Sequence, residues 1–217
     1  MKTNNIKAIL FDFDGVLADT MNDNFRAWEH AFKRYGIIIS KSDFMLLEGM
    51  SPMDIARKIG RDYDLHNYKD HESIVAEKEQ FYRKNNNFKL YLGTEDLLGT
   101  LKKNKIKLAL VSGTSDERIY RVVSKKFLSF FDVLVTANSV VYTKPHPQPY
   151  KTATKLLNVE KHEAIAIENA PLGIQAAKSA GIYCIALCST LKQEFLTQAD
   201  EIVSNMSSLN IRLKELI

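Results

Sequence analysis

Two rhythms of apolar positions run along this chain. Ile9-Leu10-Phe11 is a continuous apolar run that stops at Asp12, Phe13, Asp14 and Gly15. Such a run describes a parallel strand covered on both faces, its carboxyl end opening into a crevice where ligands bind. From Asp19 to Tyr35, the aromatic residues Phe25, Trp28, Phe32 and Tyr35 recur at three- and four-residue spacing before Gly36, which predicts an amphipathic helix with a glycine stop. Ser51-Pro52-Met53-Asp54 opens a second helix, with a capping serine, a proline in the first turn and an acid three residues after the cap; it ends near Gly60. A third, more polar helix runs from about His71 to Asn85, and residues 20–85 carry no strand pattern.

From Leu90 onward the rhythm alternates. Helices are predicted over Thr94–Lys103, Asp116–Lys126, Pro149–Leu157 and Leu172–Ala180, and strands over Lys107–Val111, Val133–Thr136, Ala164–Ile167 and Tyr183–Leu187. Strands alternating with helices of about ten residues imply right-handed crossovers and a parallel sheet. The first strand belongs to the same sheet, so residues 20–85 read as a helical insertion between 1–19 and 86–217.

Composition narrows the class without naming a chemistry. With 217 residues, 45% of them hydrophobic, the chain has material for one large core plus a small inserted domain. The net charge of +4 comes from dispersed lysines, with clusters at Lys102, Lys103, Lys105, Lys107 and at Lys125, Lys126, a solvated pattern with no nucleic-acid motif. A small anionic partner is the simpler expectation. Cys184 and Cys188 read as reduced core thiols. The opening Met1-Lys2-Thr3-Asn4-Asn5-Ile6 lacks a signal-peptide run, and no stretch is long enough to span a membrane, so a cytoplasmic monomer is expected.

Polar residues at strand ends carry the candidate chemistry. Asp12 and Asp14 point to the same side because side chains alternate along an extended strand, and Phe13 packs on the other. Ser112-Gly113-Thr114-Ser115 follows the second strand, where hydroxyls and free N–H groups suit a phosphate or simply cap the next helix. Lys144 precedes three alternating prolines, which stiffen its loop and hold its ammonium near one place. Glu168 and Asn169 end another strand; their oxygens suit a hard cation, or Asn169 caps the helix that follows. Trp28 and Phe25 have the spacing of a buried helical face.

This order of acid pair, hydroxyl, lysine, then acid and amide resembles the haloacid dehalogenase-like hydrolase superfamily. The likeness is sharpest in Phe11–Leu17, in Lys144-Pro145 and in Glu168–Gly181, and points to the branch of phosphoglycolate phosphatases and β-phosphoglucomutases. It implies an α/β fold, a Rossmann-like parallel sheet core with an inserted all-helical cap domain. It also implies a Mg²⁺-dependent phosphatase acting on a small phosphomonoester, a sugar phosphate among the candidates. Asp12 would be the nucleophile and form an aspartyl-phosphate, and Asp14 the general acid and base. Ser112, Gly113 and Lys144 would bind phosphoryl oxygens. Mg²⁺ would be held by Asp12, the Asp14 backbone carbonyl and Asn169, with Glu168 contributing directly or through water. Asn169 stands where relatives often carry an acid, which predicts weaker Mg²⁺ binding. Asn24, Met50, Ser51 and Lys78 of the cap would select the substrate. The mutase relatives carry a histidine and a basic residue where this chain has Asn24 and Pro52, although Lys78 matches a cap lysine. The mutase therefore ranks second, ahead of a non-catalytic phosphate-binding regulatory protein.

Overall fold

A computed structural model describes residues 6–217. Residues 1–5, part of the opening read above as lacking a signal-peptide run, lie outside the described residues. Six parallel strands form one sheet: β1 (Ala8–Phe11), β2 (Lys107–Val111), β3 (Val133–Val135), β4 (Ala164–Glu168), β5 (Tyr183–Leu187) and β6 (Glu201–Val203), in the order β3-β2-β1-β4-β5-β6. β1 lies at the centre, where the strand order reverses. Ligands of open α/β sheets sit at such a switch point.

The two faces of the sheet differ in side-chain size. Ile9, Phe11, Leu108, Leu110, Ile165 and Ile167 fill one face, packed with α5 (Thr94–Lys103) and α10 (Met206–Leu216) through residues such as Leu98, Leu101, Leu209 and Leu213. Ala8, Ala109, Ala164, Ala166, Cys184 and Ala186 line the other. Small residues there leave room for Tyr150 of α8 (Gln148–Leu157) and Ile174 of α9 (Pro171–Ser179). Both faces are buried, which is why the strands read as unbroken apolar runs.

Between β1 and α5 stand four helices: α1 (Met21–Lys33), α2 (Lys41–Met45), α3 (Pro52–Asp62) and α4 (Tyr68–Asn85). They share their own apolar cluster, including Trp28, Phe32, Phe44, Ile55, Ile59 and Ile74. The Ser51 cap on α3 forms in full, accepting from Asp54 N at 3.2 Å and donating to Asp54 Oδ2 at 2.6 Å.

The structure departs from the sequence expectation in a few elements. The helix expected over Asp116–Lys126 is two, α6 (Asp116–Val122) and α7 (Lys125–Leu128), because Val123 is extended and Ser124 caps the second by accepting from Phe127 N at 3.0 Å. The helix α2, the strand β6 and the helix α10 are additional. β6 has three residues, too few positions to show a period. α10 does show one, in Leu209, Leu213 and Leu216, and its Asn205 cap accepts from Ser208 N at 2.9 Å. Among the described residues, no helix is long and apolar enough to cross a membrane. Cys184 is buried, Cys188 half-buried, and both are free thiols.

Candidate active site

Asp12 is held at the end of β1 by the sheet ladder, its N–H donating to Ile167 O at 3.0 Å. Lys144 reaches it from the proline-rich loop. The ammonium lies 2.6 Å from Asp12 Oδ1, 2.6 Å from Glu168 Oε1 and 2.9 Å from Val111 O, which uses all three of its donors. Burial opposes the Lys144 charge, but the two carboxylates outweigh it and hold the lysine above its ordinary range. Burial also pushes the Asp12 carboxyl up to about 7, Lys144 pulling it down and Glu168 adding to the rise.

Asp14 follows in the turn that Gly15 makes with φ +80°. Arg118 donates to Asp14 Oδ1 at 2.7 Å and Asn24 at 3.4 Å, and the Thr20 hydroxyl donates to the same oxygen. Arg118 is buried, stacks at 4.5 Å on the Tyr82 ring and also donates to Tyr82 Oη and Thr114 Oγ1 at 3.2 Å. Burial works against its charge, and Asp14 more than restores it, so the guanidinium stays above its usual range.

Ser112 and Gly113 line the same cavity, with Asp12 and Asp14 on its floor. Ser115, not Ser112, caps α6, accepting from Arg118 N at 3.4 Å. A side chain at Gly113 would stand 2.5 Å from Gly49 O, so the cap loop closes directly over it.

Glu168 and Asn169 diverge. Glu168 is occupied by Lys144, by the Tyr150 hydroxyl at 2.5 Å and by Asn169 N at 3.2 Å. The Asn169 side chain does not cap α9, whose N-cap is Ala170. Instead its amide donates to Glu48 Oε1 at 2.7 Å and to Thr190 Oγ1 at 3.0 Å, while its Oδ1 is buried without a partner. An orphaned buried carbonyl oxygen among carboxylates is what a hard cation would satisfy. Among the described residues no three His, Cys, Asp or Glu side chains converge on one point, so neutral oxygens such as Asn169 Oδ1 have to help complete a coordination sphere. The residues fit Mg²⁺ on that basis.

The cap supplies the roof. Lys78 and Asn24 are buried and line the cavity, with Met50 and Pro52 on its rim and Trp28 and Phe44 in its wall. Ser51 belongs to the α3 cap and is not among the lining residues. Trp28 both packs on Phe32, ring centroids 5.7 Å apart, and faces the cavity; Phe25 is half-buried against Phe44. Lys78 lies 5.5 Å from the Trp28 ring, 5.2 Å from the Tyr82 ring and 2.8 Å from Glu79 Oε1. Burial first, then Arg118, pushes its ammonium down to about 8. The sequence reading missed Arg118 and Glu48; no spacing marks either one.

With this geometry in place, the comparisons with known proteins are decisive about class. The family model described as haloacid dehalogenase-like hydrolase matches residues 9–187, and the chain belongs to that family. It is a phosphoric monoester hydrolase of the branch that holds β-phosphoglucomutases and phosphoglycolate phosphatases. The chain is 31% identical to a validoxylamine A 7'-phosphate phosphatase of Streptomyces hygroscopicus subsp. limoneus, covering 94% of this chain and 95% of that one. It is 28% identical to a β-phosphoglucomutase of Bacillus subtilis, covering 96% and 93%. A crystal structure of a Clostridium difficile β-phosphoglucomutase superposes with a TM-score of 0.83 at 27% identity, covering 97% and 96%.

Proposed function

We propose that the chain is a Mg²⁺-dependent phosphatase that hydrolyses a small soluble phosphomonoester through an aspartyl-phosphate on Asp12. The observation that carries this reading is Asp12 itself. Its carboxylate sits at the switch point of the sheet, steadied by Lys144 on one oxygen, and lines a cavity roofed by the cap residues Asn24, Trp28 and Lys78.

An Asp12 oxygen attacks phosphorus in line, the bond from phosphorus to the ester oxygen breaks, and Asp14 gives that oxygen a proton. Asp14 then takes a proton from water as the water attacks the phosphoenzyme. The bond from phosphorus to Asp12 breaks, inorganic phosphate leaves and both carboxyls return to their starting state. Arg118, Thr20 and Asn24 all donate to Asp14 Oδ1 and fix the carboxyl for this double role. Ser112 and the Gly113 N–H bind the nonreacting phosphoryl oxygens, and Lys144, its donors held by Asp12, Glu168 and Val111, lends them its charge through space. Asp12, the Asp14 carbonyl and Asn169 would hold Mg²⁺, which when bound offsets the repulsion between carboxylate and phosphate. Glu168 acts mainly by positioning Lys144.

Phosphate release from a panel of phosphomonoesters, with and without Mg²⁺, tests this in wild type and Asp12→Asn. Release that needs both the metal and Asp12 is expected, with a loss of about 10³-fold or more in the variant. Release that survives Asp12→Asn sinks the mechanism. The retained cavity lysine, Lys78, favours a second reading as a phosphosugar mutase. Isomer conversion without phosphate release would choose it.

A further inference from the structure

Glu48 lies in the cap loop after α2, yet its carboxylate crosses into the core and is only 4% exposed. Oε1 accepts from Asn169 Nδ2 at 2.7 Å and Oε2 from Thr190 Oγ1 at 3.2 Å. The approach is tight. A side chain at Gly15 would stand 2.6 Å from Glu48 Oε1, and one at Gly49 would stand 3.2 Å from the Lys144 stem. Beside these contacts lies Asn169 Oδ1, buried and without a partner.

A carboxylate this deep is costly to bury when its donors are an amide and a hydroxyl. The charges that act on it through space are those of Asp12, Asp14 and Glu168, all repulsive. Of the four carboxylates Asp12, Asp14, Glu48 and Glu168, Lys144 pairs with Asp12 and Glu168 and Arg118 with Asp14, while Glu48 accepts from neutral donors. With all four ionised, four negative against two positive leave an excess of two negative charges, which one divalent cation balances. Lys78 does not change the sum, because Glu79 is its own partner. Asn169 offers an oxygen but no charge, and the carboxylate beside it comes from the cap.

We infer that Glu48 is the carboxylate that completes the cation site in place of an acid at position 169, so that the site reaches full charge only when the cap is closed. The inference rests on the Mg²⁺ reading above and extends it to a residue outside the catalytic strand ends. By linkage, whatever factor cap closure contributes to Mg²⁺ affinity, Mg²⁺ contributes to cap closure. Glu48 thereby joins two events, closing the chamber and charging its floor.

The test is Mg²⁺ binding by titration calorimetry on the full chain without substrate, comparing wild type, Glu48→Gln and the double variant Glu48→Gln/Asn169→Asp. Circular dichroism verifies that each is folded. Glu48→Gln is expected to weaken Mg²⁺ at least tenfold, roughly the 10–100-fold effect of losing a supporting group at a metal site. The double variant restores the charge on the core and is expected to recover most of that loss. Trp28, the single tryptophan, lines the cavity from the cap and reports closure by fluorescence. Mg²⁺ should change its emission in wild type and leave it unchanged in the double variant, whose charge no longer depends on the cap. Glu48→Gln with unaltered Mg²⁺ affinity overturns the inference. If wild type still hydrolyses phosphoesters in that case, the phosphatase reading stands. A fall in Mg²⁺ affinity in a protein that hydrolyses nothing leaves the inference standing and removes the phosphatase.

Discussion

Lys144 in the floor and Lys78 in the roof are both almost fully buried, and they behave in opposite ways. Lys144 has two carboxylates and a carbonyl around its ammonium and is held above the ordinary lysine range. Lys78 has one neighbouring carboxylate, two aromatic faces and the Arg118 charge nearby, and is pushed down to about 8. Burial depresses both charges alike; partners decide the outcome. The floor therefore carries a permanent charge suited to chemistry, and the roof carries a conditional one suited to choosing an anionic substrate.

The same substitution at both places gives the sharpest separation. Lys144→Met removes the buried cation of the floor and leaves Asp12 and Glu168 facing each other, so kcat should fall by on the order of 10²–10³-fold. It should also lower stability by about 3–5 kcal/mol, the usual result of breaking a buried ion pair from one side. Lys78→Met removes a charge that burial already disfavours, so stability in urea should stay level or rise. Its cost should fall on KM, by about tenfold for an anionic substrate, with kcat little changed. Equal kcat losses in the two variants would erase the distinction between floor and roof.

A pH profile probes the conditional charge with no substitution at all. Lys78 is protonated below about 8 and neutral above it, so KM for an anionic ester should rise as pH passes 8. Lys78→Arg, whose guanidinium stays charged, should flatten that rise. A wild-type KM constant from pH 7 to 9.5 would show that Lys78 does not meet the substrate.

The floor was legible in the sequence because a strand ends where its apolar run ends. Asp12, Asp14, Ser112 and Glu168 each stand at such an end, and the prolines marked Lys144. The roof was legible only as helices. Nothing in Lys41–Met50 distinguishes Glu48 from Asp43, an exposed acid on the same segment, because packing against the core decides which loop carboxylate turns inward. Arg118 and Arg121 are likewise alike in sequence. One is buried on Asp14, while the other is half-exposed and pairs with Glu117 one turn back at 3.1 Å. Ser51 shows the converse case: its capping role on α3, read from the Ser-Pro-Met-Asp spacing, forms in full with Asp54. The α6 break at Val123 was missed because Ser124 reads as a helical residue until it is seen to cap the next turn.

The smallest expected effect is thermodynamic, and it tests whether the two lysines differ in the folded protein before substrate enters. Lys78 holds its proton to about 8 when folded and has an ordinary value of 10.5. Between those values the unfolded chain binds a proton that the folded chain has released, so the free energy of unfolding rises with pH. The penalty is fully present below about 8 and is relieved above it. Buried tyrosines such as Tyr150, whose hydroxyl burial pushes up, act in the opposite sense once unfolded tyrosines ionise near 10. The informative quantity is therefore the wild-type stability minus that of Lys78→Met, followed by urea denaturation from pH 7 to 9.5. It should increase by about 1–2 kcal/mol across that range, given roughly 1.4 kcal/mol per pH unit for one proton. A flat difference would mean that Glu79 holds the Lys78 charge as firmly as Asp12 and Glu168 hold that of Lys144, and the contrast between roof and floor would be lost.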